Sequence, residues 1–414
     1  MVSRRLALLL ALVGSAATCG GRQVAEEPQP QAVGAADSAA LAAAAAPDSR
    51  PPLEPGHIPI PPLGIIELVA EPLPVEAKRK IRLCAGGDVT LGTNLDTAWA
   101  GRASARLGYS VEAFPDPDRL LAPLKPLVAD ADVVLLNIEG AIGEGVAPPK
   151  CRPGSTRCYA FRQPTPTAAA LRAIAYEAAV VGNVANNHAL DAGGPGLAAT
   201  VGHLEDADVY VTGADTLPTI VVTELRDTVA VLGFSSAQAG PDPRDLEAVR
   251  RHVARAATRY GRVVVTMHMG AEGTRAQRTP NTSERFLGED RGNSVAFAHT
   301  AVDAGASVVI GHGPHVMRAA EWRGDALILY SLGNLLTYGP FSFAEPLNKG
   351  GIACVTLDHE GRVSGAVLRS TSQRPPGYVE PDPRGHAAWL VDSLSRLDFP
   401  QTGARLAGEA KVRR

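Results

Sequence analysis

The chain is poor in the features that mark several protein classes. Its 40 Lys and Arg against 43 Asp and Glu leave a formal net charge of -3, so it has no broad basic surface of the kind that nucleic-acid binding needs. Five cysteines in 414 residues are too few for a disulfide scaffold, and none has the spacing of a structural zinc site. No apolar run reaches the roughly 20 residues that span a bilayer, and no internal repeat is present. An apolar fraction of 45% in turn excludes a largely disordered protein.

What is present is sharply localised along the chain. Arg4 and Arg5, an apolar run from Leu6 to Val13 and the small residues Ser15, Ala16 and Ala17 read as a secretory signal peptide over residues 1–18. Cys19 follows in Ala16-Ala17-Thr18-Cys19-Gly20, which resembles a bacterial lipobox whose cysteine becomes the lipidated first residue. Ordinary cleavage after Ala17, giving a soluble secreted protein, is the alternative. Residues 19–78 are rich in Ala, Pro, Gln and Glu, a composition that cannot bury a core and reads as a disordered tether.

Beyond Lys78, short β-branched runs alternate with amphipathic stretches. Ile81 to Ala85, Val133 to Leu136, Ala179 to Val181, Val263 to Met267 and Val308 to Ile310 read as buried strands. Thr165 to Tyr176, Gly194 to Leu204, Asp245 to Tyr260 and Asn293 to Ala304 fit helices. Thr219 to Phe234, Arg318 to Ser331 and Gly351 to Ser370 read as antiparallel hairpins. These elements predict one mixed α/β body over residues 79–375, then a C-terminal helix, packed on the outside, and a tail over 376–414.

Five predicted strands each deliver polar groups at their C-terminal ends, the edge where α/β sheets bind ligands. Asp88 follows the first, Asn137 and Glu139 the second, Asn186, Asn187 and His188 the third, His268 and Glu272 the fourth, and His312 and His315 the fifth. Each alone reads as a helix cap, a turn or a satisfied core residue. Together, with four of the chain's 10 histidines among them, they predict a shared metal site. Mixed oxygen and imidazole donors suit one or two Mn, Fe or Zn ions better than calcium.

The ordered motifs Gly87-Asp88, Asn137-Ile138-Glu139, Ala185-Asn186-Asn187-His188-Ala189-Leu190-Asp191, His268-Met269-Gly270-Ala271-Glu272, Gly311-His312-Gly313-Pro314-His315 and Tyr330-Ser331-Leu332-Gly333-Asn334 resemble the CapA family of capsule and poly-γ-glutamate biosynthesis proteins. That family is similar to the calcineurin-like metallophosphoesterases. The resemblance implies a four-layer αββα sandwich of two mixed sheets with a metal site at one sheet edge. It implies Asp88 as a ligand of the first metal, Glu139 bridging the pair, Asn187 and His268 on the second metal, His312 completing it, and His315 returning to the first. His188 would be the general acid for phosphoester hydrolysis, oriented by Asp191. Two positions depart from the related phosphoesterases: Thr90 stands where they place a histidine, and Pro314 widens the spacing of the last two histidines. Glu272 is either a replacement ligand or a carboxylate outside the ligand set, the second being the favoured reading, and Asn334 shapes a turn near the site and stands as a residue that supports the ligands rather than as a ligand.

Cys151 and Cys158 enclose a short polar loop and are expected to form a disulfide; Cys84 and Cys354 are expected to be small buried thiols. The polar stretch from Glu272 to Gly292 carries Arg275, Arg278, Arg285 and Arg291, which either steer an anion toward the metals or form a solvated charged loop. The expected partners are an anionic surface polymer or phosphoester, a polymer synthase complex, and the membrane through the Cys19 lipid anchor at the cell envelope, with no nucleic acid. A general envelope phosphoesterase and a non-catalytic polymer-binding scaffold are the alternative functions.

Overall fold

A computed structural model describes residues 79–144, 160–237, 240–407 and 411–414. The expected signal peptide, tether, Cys19 and the Cys151–Cys158 pair lie outside the described residues. Among the described residues, no helix is long and apolar enough to cross a membrane.

Two sheets stack face to face. In the ten-stranded sheet, Ile81–Thr90, Val133–Ile138, Ala179–Asn183 and Val209–Thr212 run parallel in that order. Lys349–Leu357 and Val363–Arg374 extend it antiparallel on the other side of Ile81–Thr90. In the six-stranded sheet, Thr228–Ser235, Val263–His268, Val308–His312 and Ala326–Leu329 are parallel. Thr219–Val222 and Ala320–Arg323 add antiparallel edges through the hairpins expected from the sequence.

The period-two alternation of strands sorts the side chains into layers. Ile81, Leu83, Ala85, Val133 and Leu135 meet Val264, Val308, Ile310 and Leu327 between the sheets. On the outer face of the ten-stranded sheet, Val134, Leu136 and Val180 pack against Trp99, Leu120, Leu171 and Leu204 from the helical elements there. Outside the six-stranded sheet, Val263, Val265, Met267 and Val309 pack on Leu246–Ala257 and Ser294–Asp303. The first of these helices buries Val249, Val253 and Ala256, one stripe at helical spacing. Asp245 and Asn293 start the two helices by accepting from the backbone N–H groups of Ala248 and of Val295 and Ala296. The result is the four-layer αββα sandwich.

Two expectations are corrected. The C-terminal helix, His386–Asp398, is not simply on the outside: Ala387, Ala388 and Val391 enter the layer between the sheets, so the helix closes the sandwich there. Cys84 and Cys354 are not thiols but a disulfide, formed because they face each other directly across the antiparallel pair Ile81–Thr90 and Lys349–Leu357.

Candidate metal centre

The strands run further than their β-branched runs suggested, and the extensions carry the chemistry. Asp88 lies within Ile81–Thr90 rather than after it, at an irregularity in the pairing with Val133–Ile138. Glycine at position 87 serves close approach of two backbones: a Cβ there would lie 2.0 Å from the Gly333 carbonyl oxygen. Asp88 donates its backbone N–H to that same carbonyl at 3.0 Å. His268 and His312 end adjacent parallel strands and sit opposite each other in register. A turn through Gly313 at φ 104° then carries the chain to His315, itself left-handed at φ 58°, a strained conformation of the kind held at functional sites.

These ends converge. His315 Nδ1 lies 3.0 Å from Asp88 Oδ2, and His315 Nε2 lies 3.7 Å from Glu139 Oε1. His312 Nδ1 is 3.7 Å from Asp88 Oδ1, and His268 Nε2 is 3.8 Å from Glu139 Oε1. Donor atoms of Asp88, Glu139 and His315 all lie within 4.8 Å of one another, close enough for small side-chain movements to bring them onto a single cation. Glu272 stands beside them, with Oε2 3.7 Å from His315 Nε2. Asn334 does more than shape a turn: its Oδ1 is 3.0 Å from His315 Nδ1 and fixes the ring.

Asp88, Glu139, His268 and His312 are fully buried, and their titration reflects it. Burial works against the Asp88 carboxylate, but the hydrogen bond and charge of His315, aided by His268 and His312, hold it well below the usual range. Burial lifts the Glu139 carboxyl well above its ordinary value, and the neighbouring Asp88 and Glu272 charges add to this. Burial pushes His268 well down and His312 down to about 4. For His315 burial is outweighed by Glu139, Asp88 and Glu272 together, which raise it to about 10. Both Glu139 carboxyl oxygens, His268 Nε2, both His312 nitrogens and Asn187 Oδ1 are buried without a hydrogen-bond partner. Orphaned polar atoms are costly, at about 1–3 kcal/mol each. A divalent cation satisfies such a donor set, so the residues present fit the group.

Asn187 and His188 are tied to this cluster through their neighbour Asn186, which donates from Nδ2 to Asn137 Oδ1 at 3.3 Å and accepts the His188 backbone N–H on Oδ1 at 3.1 Å. His188 Nδ1 pairs with Asp191 Oδ2 at 2.7 Å, and Asn187 lines an open cleft of about 660 Å³ shared with Ser236, Asp242, Arg244 and Asp290. Thr90 supplies no ligand here; its hydroxyl donates to the Glu139 carbonyl at 2.9 Å. Of the four loop arginines, Arg278 pairs with Asp398 and Arg285 donates to the Gly288 carbonyl. Arg275 is exposed. Arg291 is buried, with Nη2 2.9 Å from Glu272 Oε1.

Asn137 and Asn186, expected among the polar groups at the strand ends, have a positioning role that the sequence did not specify, while Asn183, Phe161 and Arg318 escaped the sequence reading. Asn137 Nδ2 donates to Asp88 Oδ1 at 2.8 Å and lies 3.2 Å from His268 Nδ1, while Asn137 Oδ1 accepts from Asn183 at 2.8 Å and Asn186 at 3.3 Å. Asn137 and Asn183, amides in the last two positions of otherwise apolar strands, and Asn186 shortly after the second were the available signal. Phe161 stacks on the His188 ring at 3.8 Å between centroids and donates its backbone N–H to Asp191 Oδ2 at 2.7 Å. Arg318, fully buried, grips both Glu284 oxygens at 2.8 and 2.7 Å and the Ala276 carbonyl at 2.7 Å, which pins the loop bearing Glu272.

With this geometry in view, comparison places the chain among known proteins. The pattern of the family described as "Bacterial capsule synthesis protein PGA_cap" matches residues 82–338, more than half of the 414 residues. The "PGA biosynthesis protein CapA" of Bacillus subtilis (strain 168) is 31% identical over 170 residues, 37% of this chain and 41% of that protein. The "Capsule biosynthesis protein CapA" of Bacillus anthracis is 28% identical over 173 residues, 37% of this chain and 39% of that one. The aligned stretch thus spans about two fifths of those relatives. Among solved structures, a 5'-nucleotidase precursor from Thermus thermophilus aligns with a TM-score of 0.37 and 14% identity, over 77% of this chain and 59% of that one. The chain belongs to the bacterial capsule synthesis family PGA_cap.

Proposed function

We propose that this member of the capsule synthesis family is a metal-dependent envelope protein acting in synthesis, export or anchoring of an anionic surface polymer of the poly-γ-glutamate type. The observation that carries the reading is the buried cluster of Asp88, Glu139, His268, His312 and His315 with its orphaned donor atoms. Asp88, Glu139 and His315 would hold a first divalent ion, and His268, His312 and Asn187 a second, with Glu139 between them. Bound there, Mn, Fe or Zn supplies Lewis-acid stabilisation of charge on phosphoryl oxygens and lowers the pKa of water.

The chain's own residues supply the rest. His188 is the proton donor to the leaving oxygen. Asp191 accepts from Nδ1–H and stabilises the imidazolium form, whose Nε2–H is the proton passed to the leaving oxygen, leaving a neutral imidazole protonated on Nδ1. Phe161 restricts the imidazole by stacking. Asn137 keeps the Asp88 carboxylate and the His268 ring in fixed relation.

A secreted, Cys19-anchored protein is the location we propose, and the Cys84–Cys354 disulfide supports an oxidising compartment. A polymer synthase complex is the proposed partner. Two experiments test the function. Hydrolysis of an aryl phosphodiester is expected to fall at least ~100-fold in His188→Asn and to vanish in His268→Ala and His312→Ala. Unchanged activity in the latter pair would sink the metal-dependent reading. Deletion in the source bacterium is expected to change the amount or length of surface polymer. Unaltered polymer would leave a general envelope phosphoesterase, whereas altered polymer without any hydrolysis would favour a scaffold.

A further inference from the structure

We infer that Glu272 is a direct donor to the first metal, aimed by Arg291, and that it takes the place left open by Thr90. This rests on the metal-centre reading above and reverses what the sequence suggested for Glu272. The starting observation is a deficit: Asp88, Glu139 and His315 give the first ion only three protein side chains. The neighbouring hydroxyl of Thr90 is turned to the Glu139 carbonyl at 2.9 Å.

Glu272 fills that deficit geometrically. Its side chain is only 13% exposed, and Oε2 lies 3.7 Å from His315 Nε2, the same nitrogen that lies 3.7 Å from Glu139 Oε1. Glu272 thus stands as close to this imidazole nitrogen as Glu139 does, just outside the trio of Asp88, Glu139 and His315 whose donor atoms already lie within 4.8 Å of one another, where a small side-chain movement would bring its Oε2 to a shared ion. The other oxygen, Oε1, is held 2.9 Å from Arg291 Nη2. A carboxylate ion-paired on one oxygen with a buried arginine, without a hydrogen bond of good geometry, and with its second oxygen toward the donor cluster, is placed as outer partners place metal-bound carboxylates.

The support continues outward. Gly270 donates its backbone N–H to the Arg291 carbonyl at 3.0 Å, and Ala271 donates to Glu284 Oε1 at 3.2 Å, the oxygen that Arg318 also grips. After Glu272, Gly273 donates its backbone N–H to the Pro314 carbonyl at 3.1 Å, so the loop is fixed on both sides of Glu272. Three carboxylates and one imidazole make a harder donor set than the related two-histidine pattern, which shifts preference toward Mn²⁺ and away from Zn²⁺.

The test is Mn²⁺ binding to the full chain, followed by loss of the free-ion electron paramagnetic resonance signal and with Zn²⁺ as competitor. Three variants are compared: E272Q, E272D and R291K. Direct ligation predicts roughly ten-fold or greater weakening of Mn²⁺ binding in both E272Q and E272D, a smaller loss in R291K, and a fall in the Mn²⁺ over Zn²⁺ preference. E272D carries the decision, because it keeps the charge and withdraws the oxygen by one methylene. Wild-type Mn²⁺ affinity in E272D would overturn ligation and leave Glu272 as a nearby charge. Absence of Mn²⁺ binding to the wild-type chain would instead overturn the metal centre itself. Should E272Q fail to fold by circular dichroism, E272D and R291K still decide the matter.

Discussion

The middles and the ends of the same strands are equally buried and chemically opposite. Ile310 and His312 are two residues apart on one strand, both essentially inaccessible. One packs in the apolar layer between the sheets, and the other presents two unpartnered nitrogens. Leu83 and Asp88 repeat the contrast on Ile81–Thr90, as do Leu135 and Glu139 nearby. Burial of the middles is favourable in itself, by about 25 cal/mol per Å² of apolar surface. Burial of the ends is unfavourable until something binds there. The sandwich core thus stabilises a rim that is unstable on its own, and the pKa directions at the rim record that tension.

The largest expected effect strikes the middles. Ile310→Ala should lower unfolding free energy by about 2–5 kcal/mol in denaturant titration, while the molecules that stay folded retain the site. Next, reduction of the Cys84–Cys354 disulfide should lower stability by about 2–4 kcal/mol, because it links strands 270 residues apart in sequence; thermal melts with and without reductant check this. Glu139→Gln should have the opposite sign in metal-free protein. A carboxyl whose folded pKa lies above the unfolded value near 4.5 loses stability as pH rises past that value, and glutamine carries no such penalty. A gain of about 1 kcal/mol at neutral pH, with metal binding impaired, would show that the rim is built for a ligand. A loss of stability would mean that Glu139 acts as a structural residue like those of the core.

The smallest effect serves as a control away from the rim. Glu321 is buried, which raises a carboxyl, but hydrogen bonds from His299, Tyr330 and Thr402 outweigh burial and lower its pKa from 4.5. Its contribution is therefore present above pH 4.5 and is lost as pH falls through the folded value. Glu321→Gln should flatten the acid limb of the stability profile and leave the neutral limb parallel to wild type.

How far the sequence speaks follows the same division. The strand middles were legible because β-branched runs have one environment that suits them, and the three hairpins because their turns carry glycine or aspartate. The strand ends were under-read, since Gly86-Gly87 and the terminal asparagines have low strand propensity and only tertiary contact keeps them extended. Asp88, Glu139, His268, His312 and His315 were legible as a group through their shared position after strands, and the structure brings them together. Phe161 and Arg318 were not, and Asn137 was legible only as a strand-end polar residue and not as a positioning one, because their partners come from distant segments. Cys84 and Cys354 were misread for that reason too: their pairing depends on a register that spacing cannot reveal.

Metal content of the purified protein, by elemental analysis, tests the central claim most directly. One or two equivalents of Mn, Fe or Zn in the wild-type chain, lost in Asp88→Asn and His268→Ala variants that still melt cooperatively, is the predicted result. A wild-type chain that holds no transition metal after loading, or variants that hold as much as wild type, would contradict it.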